Sequence, residues 1–156
     1  PSTDKTRQAI FNILSHETPG ARVLDLFAGS GALGIEALSR GAKSAVFVDK
    51  SSPVIDVLKQ NLKSLELSER VINSDWKKAL KSLSDAGLEF ELIFADPPYD
   101  EFPQEDVAAV IAKVSLLASE GILIIESSVR DTPASSLTLL KTRVFGHTQI
   151  SFYHKG

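Results

Sequence analysis

Apolar residues along this chain come in two rhythms, helical spacing and short unbroken runs, and the two take turns from end to end. Ala9, Ile10, Ile13 and Leu14 sit at helical spacing, and Thr3 or Asp4 is placed to cap a helix running to about Ser15. Pro19-Gly20 breaks it. Val23-Leu24-Asp25-Leu26-Phe27 then reads as an apolar strand with one acid inside it, followed by a glycine-rich turn from Ala28 to Gly31. A helix through Ile35, Leu38 and Ser39 ends at Gly41. Ala45 to Val48 is a short buried strand that stops at Asp49. The next helix spans about Pro53 to Leu65, with the proline in the first turn, where its missing N–H costs nothing.

Further on, Val71-Ile72 leads to Asp75, a helix covers about Trp76 to Leu83, and Gly87 interrupts it. Phe90 to Ala95 is an apolar strand ending at Asp96-Pro97-Pro98-Tyr99. A helix follows from about Glu105 to Leu117, and Ile122 to Ile125 is a strand. Two extended segments, Leu139 to Phe145 and Gln149 to Tyr153, meet at Gly146 and read as an antiparallel hairpin. Alternating strands and helices predict an α/β fold, a mostly parallel sheet with helices on both faces. No repeat, low-complexity tract or linker divides the chain, so 1–156 is expected to be one domain.

Composition narrows the chemistry. The 156 residues are 43% hydrophobic and 24% charged, ordinary for a globular protein able to bury a core. There is no cysteine, which excludes disulfides, thiolate metal sites and cysteine nucleophiles. No apolar run approaches the ~20 residues of a membrane span. The net charge is −3, low for a partner of nucleic acid. The chain begins at Pro1 and contains no methionine, so it is expected to be part of a longer protein.

Candidate chemistry gathers at the strand ends. Asp25, Gly29 and Gly31 form acid-x-x-x-Gly-x-Gly at a strand-to-helix turn, where glycine allows a sharp bend and close approach of a ligand. Gly29 to Gly34 also satisfies G-x-G-x-x-G, with Asp49 about 20 residues on, which is the dinucleotide fingerprint. Two features favour S-adenosylmethionine (AdoMet) over NAD. Asp25 lies inside the strand, where a carboxylate suits the ammonium of AdoMet. Asp96-Pro97-Pro98-Tyr99 has no place in hydride transfer. Asp49 can accept both ribose hydroxyls, and Asp75 can accept from the adenine amino group. Any one of these acids alone could equally be a helix cap or a solvated loop residue. Together they converge on the sheet edge where open α/β folds bind ligands.

After an acid, two prolines cannot continue a strand ladder and instead fix a stiff turn. An aromatic amine is a poor nucleophile because its lone pair is delocalised. The Asp96 carboxylate and the Pro97 carbonyl can accept its hydrogens and localise that pair, while Tyr99 offers a face for a base to stack on. The pattern points to methylation of an exocyclic amino group.

On these residues the chain resembles the RsmD-type family of class I AdoMet enzymes, bacterial methyltransferases of guanine N2 in 16S ribosomal RNA. The likeness begins at Pro1-Ser2-Thr3-Asp4-Lys5-Thr6-Arg7 and Phe11-Asn12-Ile13-Leu14. It runs through Val23 to Ala42 and Asp96-Pro97-Pro98-Tyr99, and ends near Phe145-Gly146-His147-Thr148. It implies a Rossmann-like, mostly parallel seven-stranded sheet whose last strand runs antiparallel between its neighbours. It implies cofactor contacts at Asp25, Phe27, Gly29, Gly31, Asp49 and Asp75, and from Thr3 to Lys5. Lys50 beside Asp49 and Trp76 beside Asp75 join this set, and Asp96 to Tyr99 become the catalytic segment. Family members carry a further basic N-terminal segment, which this chain lacks. The implied partner is 16S rRNA or an assembling small ribosomal subunit, in the cytoplasm. The sequence shows no long apolar surface stripe, so the protein is expected to be a monomer. Asp-Pro-Pro-Tyr also serves DNA adenine-N6 enzymes. Those usually carry a separate recognition region, for which 156 residues leave no room.

Lys5, Arg7, Arg40, Lys43, Arg130, Lys141 and Arg143 are the candidates for RNA contact, with scattered solvated charge as the plain alternative. His16, His147 and His154 match no metal-ligand spacing, and no metal is expected. Phe27 and Trp76 each have a packing role as the simpler reading.

Overall fold

A computed structural model describes residues 3–98, 104–128 and 137–155, with 104–106 and 128 described by their backbone alone. The elements in chain order are α1 (Asp4–Ile13), β1 (Arg22–Leu26), α2 (Ala32–Ser39), β2 (Ser44–Asp49), α3 (Ser52–Ser64), β3 (Arg70–Asn73), α4 (Trp76–Asp85), β4 (Phe90–Ala95), α5 (Gln104–Lys113), β5 (Leu117–Ser128), β6 (Thr138–Phe145) and β7 (Thr148–His154). The seven strands make one sheet in the order β3-β2-β1-β4-β5-β7-β6. Strands β1 to β5 are parallel, and β7 runs antiparallel between β5 and β6.

Period-two alternation sorts the central strands between two cores. Val23, Phe47, Leu92, Phe94, Ile122 and Ile124 turn to the side of α1, α2 and α3 and pack on Ile10, Phe11, Ala37, Leu58 and Leu62. Leu24, Leu26, Val46, Val48, Ile93, Ala95, Leu123 and Ile125 turn to α4 and α5 and meet Leu80, Leu83, Ala108 and Ile111. Burial on both faces explains why these strands read as continuous apolar runs. Helix starts are fixed by side-chain caps: Thr3 on α1, Ser51 on α3 and Asp75 on α4.

The boundaries of α5 and β5 differ from the sequence pattern. Helix α5 stops at Lys113, because Ser115 takes a positive φ of 56°. Leu117 already pairs with Phe90, so β5 begins there rather than at Ile122, with a register shift before Leu92. β5 also runs past Ile125 to Ser128, and β7 holds its far end, Glu126 opposite Ile150 and Ser127 opposite Gln149. Strand β6 pairs with β7 and leaves Leu139, Leu140 and Val144 exposed.

Gly34 lets α2 lie close on β2. A Cβ built there would sit 2.4 Å from Cε2 of Phe47. Gly34→Ala is expected to cost about 1–3 kcal/mol through overpacking, read as a lower urea midpoint at unchanged slope.

Candidate active site

Asp25 points from β1 toward the α1–α3 side and is 3% exposed. Its Oδ2 accepts the N–H of Gly34, in the first turn of α2, at 3.0 Å. Burial pushes its carboxyl up to about 7. The Gly34 N–H pulls the other way, and the nearby charge of Asp49 adds to the rise. An arriving cation would favour its ionised form.

The chain leaves β1 through a bend. Phe27 has a φ of 58°, a left-handed conformation costly for a bulky residue and typical of sites held in place by their surroundings. Its neighbour Ala28 donates its N–H to the Val48 carbonyl at 2.9 Å. Gly29, with a φ of 57°, donates to Oδ2 of Asp49 at 3.0 Å, and Ser51 donates to Oδ1 of the same carboxylate at 3.0 Å. Asp49 therefore ties the β1 turn to the β2 turn. The bend brings the Phe27 ring to 5.8 Å from that of Trp76, at an interplanar angle of 47°.

Two cavities open along this edge. One, of about 210 Å³, is lined by Phe27, Val48, Asp49, Lys50, Ser74, Trp76, Asp96 and Pro98. The other, of about 380 Å³, is lined by Arg7, Asp25, Phe27, Gly29, Leu33 and Asp96 among others. Phe27 and Asp96 line both. Arg7 is held there by Asp4 at 2.7 Å and Glu36 at 3.5 Å.

Asp96 follows directly on β4 and is half-buried, with Pro97 buried and Pro98 exposed. Its carboxyl is pushed up to about 8. Burial is the main cause, followed by a hydrogen bond with Glu126 and the charge of that residue. Glu126 ends the apolar run of β5 and is itself buried.

Of the residues singled out from the sequence, Asp25, Phe27, Gly29, Asp49, Lys50, Trp76, Asp96 and Pro98 line the two cavities. Pro97 is the buried link between Asp96 and Pro98. Gly31 does not line either cavity. It precedes α2 with a φ of 88°, and a Cβ there would meet Leu58 at 2.4 Å. Asp75 spends one oxygen on the N–H groups of Lys77 and Lys78 as the cap of α4, and its neighbour Ser74 reaches the cavity instead. Thr3 caps α1 by accepting from Thr6, and Lys5 is exposed on that helix. Arg40 is engaged with Glu36 and lies over the Phe11 ring. Tyr99 and Arg130 fall outside the described residues. Sequence reasoning missed Ser74 and Glu126. Arg7, a candidate for RNA contact, lines one of the cavities.

This arrangement separates the two ligand classes that the glycine motif leaves open. A pyrophosphate needs free N–H groups at the turn. Here the Gly29 and Gly34 N–H groups already bond the protein's own carboxylates, Asp49 and Asp25. Three acids, Asp25, Asp49 and Asp96, face the cavities against Arg7 and Lys50. The lining suits a cationic ligand with hydroxyls, not a diphosphate.

A family model described as "Conserved hypothetical protein 95" matches residues 1–154. "Putative rRNA methyltransferase YlbH" of Bacillus subtilis (strain 168) is 38% identical over 160 residues, 99% of this chain and 87% of the relative. "Ribosomal RNA small subunit methyltransferase D" of Escherichia coli (strain K12) is 33% identical over 159 residues, 99% of this chain and 79% of the relative. The solved structure "Putative methyltransferase yhhF from Escherichia coli" superposes with a TM-score of 0.87 at 34% identity, covering 99% of this chain and 86% of that one.

The Asp25 carboxyl gives a pH signature. Between its ordinary value of 3.8 and about 7, the folded chain keeps a proton that the unfolded chain has lost. Stability therefore falls as pH rises through that window. Asp25→Asn, which can still accept from Gly34, is expected to shrink the loss by an amount on the order of a few kcal/mol. Urea midpoints at pH 5 and pH 8 check this. Equal losses in both proteins contradict it.

Proposed function

Because the chain belongs to the family of conserved hypothetical protein 95, a family that includes ribosomal RNA small subunit methyltransferases, we propose that it transfers the methyl group of AdoMet to the N2 amino group of a guanine in 16S ribosomal RNA. The observation that carries this reading is the position of Asp96. Asp96 lines both cavities, and we infer that a methyl donor held in them would there meet a base entering from outside.

The residues present fit AdoMet. Asp25 would take its ammonium group, the two Asp49 oxygens its ribose hydroxyls, and Phe27 and Trp76 would flank its adenine. When bound, it supplies an electrophilic methyl carbon on a sulfonium. The chain's own part is to position. The Asp96 carboxyl and the Pro97 carbonyl accept the hydrogens of the target amine and aim its lone pair. The buried Pro97 stiffens the turn, so this alignment is held before the base arrives. No strong base is needed, because the amine proton becomes acidic only as the N–C bond forms. The names of the two relatives favour rRNA, and that of the Escherichia coli protein favours the small subunit.

Asp96→Ala is expected to reduce methyl transfer by at least about a hundredfold, on the scale of losing a transition-state hydrogen bond, with AdoMet affinity within a few-fold. Asp49→Ala is expected to weaken AdoMet binding first, since it removes the ribose acceptor and loosens the Gly29 turn. Labelled AdoMet, small subunits from cells lacking the endogenous enzyme, and double-stranded DNA provide the test, with nucleosides identified by mass. N2-methylguanosine in rRNA is the expected product. N6-methyladenine in the DNA would keep the chemistry and overturn the substrate.

A further inference from the structure

The cavity lined by Asp25 carries an opposite charge as well. Arg7 of α1 stands in the same lining, with Gly29, Leu33 and Asp96. Packing fixes its place. Phe11 of α1 is fully buried and meets Phe94 of β4 at a ring distance of 5.4 Å. Phe94 is in turn the register partner of Asp25 on β1. Arg7 lies one helical turn before Phe11, so the two share a face of α1. The face that seats Phe11 on the sheet therefore brings Arg7 to the cavity that holds Asp25 and Asp96.

The guanidinium is braced but not used up. Its Nη2 donates to Oδ1 of Asp4 at 2.7 Å, and its Nε lies 3.5 Å from Oε1 of Glu36. Asp4 is 95% exposed, so that pair is weak in water. Glu36 accepts from Nε of Arg40 at 2.8 Å with its other oxygen. Arginine presents five N–H donors in a fixed fork, and Nη1 of Arg7 makes no bond among the described residues. Thr3, expected from the sequence to touch the cofactor, spends its hydroxyl on Thr6 and on capping α1. Arg7, one turn further along the same helix, is the residue that lines the cavity.

We propose that Arg7 binds the carboxylate at the methionine end of AdoMet, opposite Asp25, so that this cavity recognises a free α-amino acid by both of its charges. The inference rests on the AdoMet reading above and adds a residue to it. An α-amino acid carries an ammonium and a carboxylate on one carbon, so its site needs an acid and a base in one lining. Asp25 takes the ammonium and repels a carboxylate. Arg7 is the one cation among the described residues that line this cavity, and a carboxylate is the partner that the guanidinium fork fits. The other cavity, with Phe27, Trp76 and Asp49, is left to the adenosine.

Binding, not turnover, tests this. Full-length wild type and Arg7→Gln are titrated calorimetrically with S-adenosylhomocysteine and with its decarboxylated analogue, which keeps the adenosine, the sulfur and the amine. Arg7→Gln is expected to weaken S-adenosylhomocysteine about ten- to a hundredfold, the scale of a hydrogen bond to a charged group. It is expected to bind the decarboxylated cation no more weakly than wild type does. A strut that only braces α1 against α2 would give equal losses for both ligands, and equal losses overturn the proposal, as does no loss for either. Should Arg7→Gln not fold, Arg7→Lys takes its place. It keeps a charge for Glu36 and gives up the fork, and the loss must again fall on the carboxylate-bearing ligand alone. Wild type that binds both ligands equally overturns the role of Arg7 and leaves the AdoMet reading standing. Wild type that binds neither overturns both.

Discussion

The bond from Gly34 to the Asp25 carboxyl is the constraint on which the rest of the site depends. It fastens the first turn of α2 to the interior of β1, and it is possible only because residue 34 has no Cβ to push against Phe47. With α2 fixed so close, the chain between them must bend sharply, and Phe27, Gly29 and Gly31 all take positive φ. That bend turns the Phe27 ring toward Trp76 and opens both cavities beneath it. Asp49 closes the arrangement from β2 by holding Gly29 and Ser51. The buried acid is thus a structural tie between strand and helix.

A glycine-rich turn is commonly an anion site, since helix N-termini carry free N–H groups and a positive end. In this molecule two of those donors, the Gly29 and Gly34 N–H groups, are satisfied by its own acids. The glycine pattern alone cannot report the difference, because it describes backbone shape and not which groups remain free. What distinguishes the two is the acid inside β1 and the acid after β2, whose oxygens reach the turn from either side.

Much of the architecture was legible because the central strands are buried on both faces. Phe90 to Ala95 is predicted without error, and Asp96 after it follows from the abrupt change to two prolines. Asp25 stands out as a charge in an apolar run. Other features were hidden for physical reasons. Glu126 closes an apolar run and looks like the point where a strand meets solvent. Its burial depends on β7 covering the far end of β5, a contact distant in sequence. Asp75 satisfied two roles equally well in the sequence, and the structure gives it the cap. Leu116 and Leu117 continue the helical spacing of α5, but the positive φ at Ser115 and the pairing of Leu117 with Phe90 deliver them to the sheet.

Strand β6 carries a different kind of information. It lies at the end of the sheet order, bonded to β7 on one side, with Leu139, Leu140 and Val144 exposed along its length. An outermost strand of eight residues is a template on which another chain can extend the sheet, and apolar side chains along it add adhesion. Lys141 and Arg143 interrupt that apolar surface, on residues that are themselves exposed. Their charge works as a guard against self-association: two chains that meet edge to edge here bring like charges together.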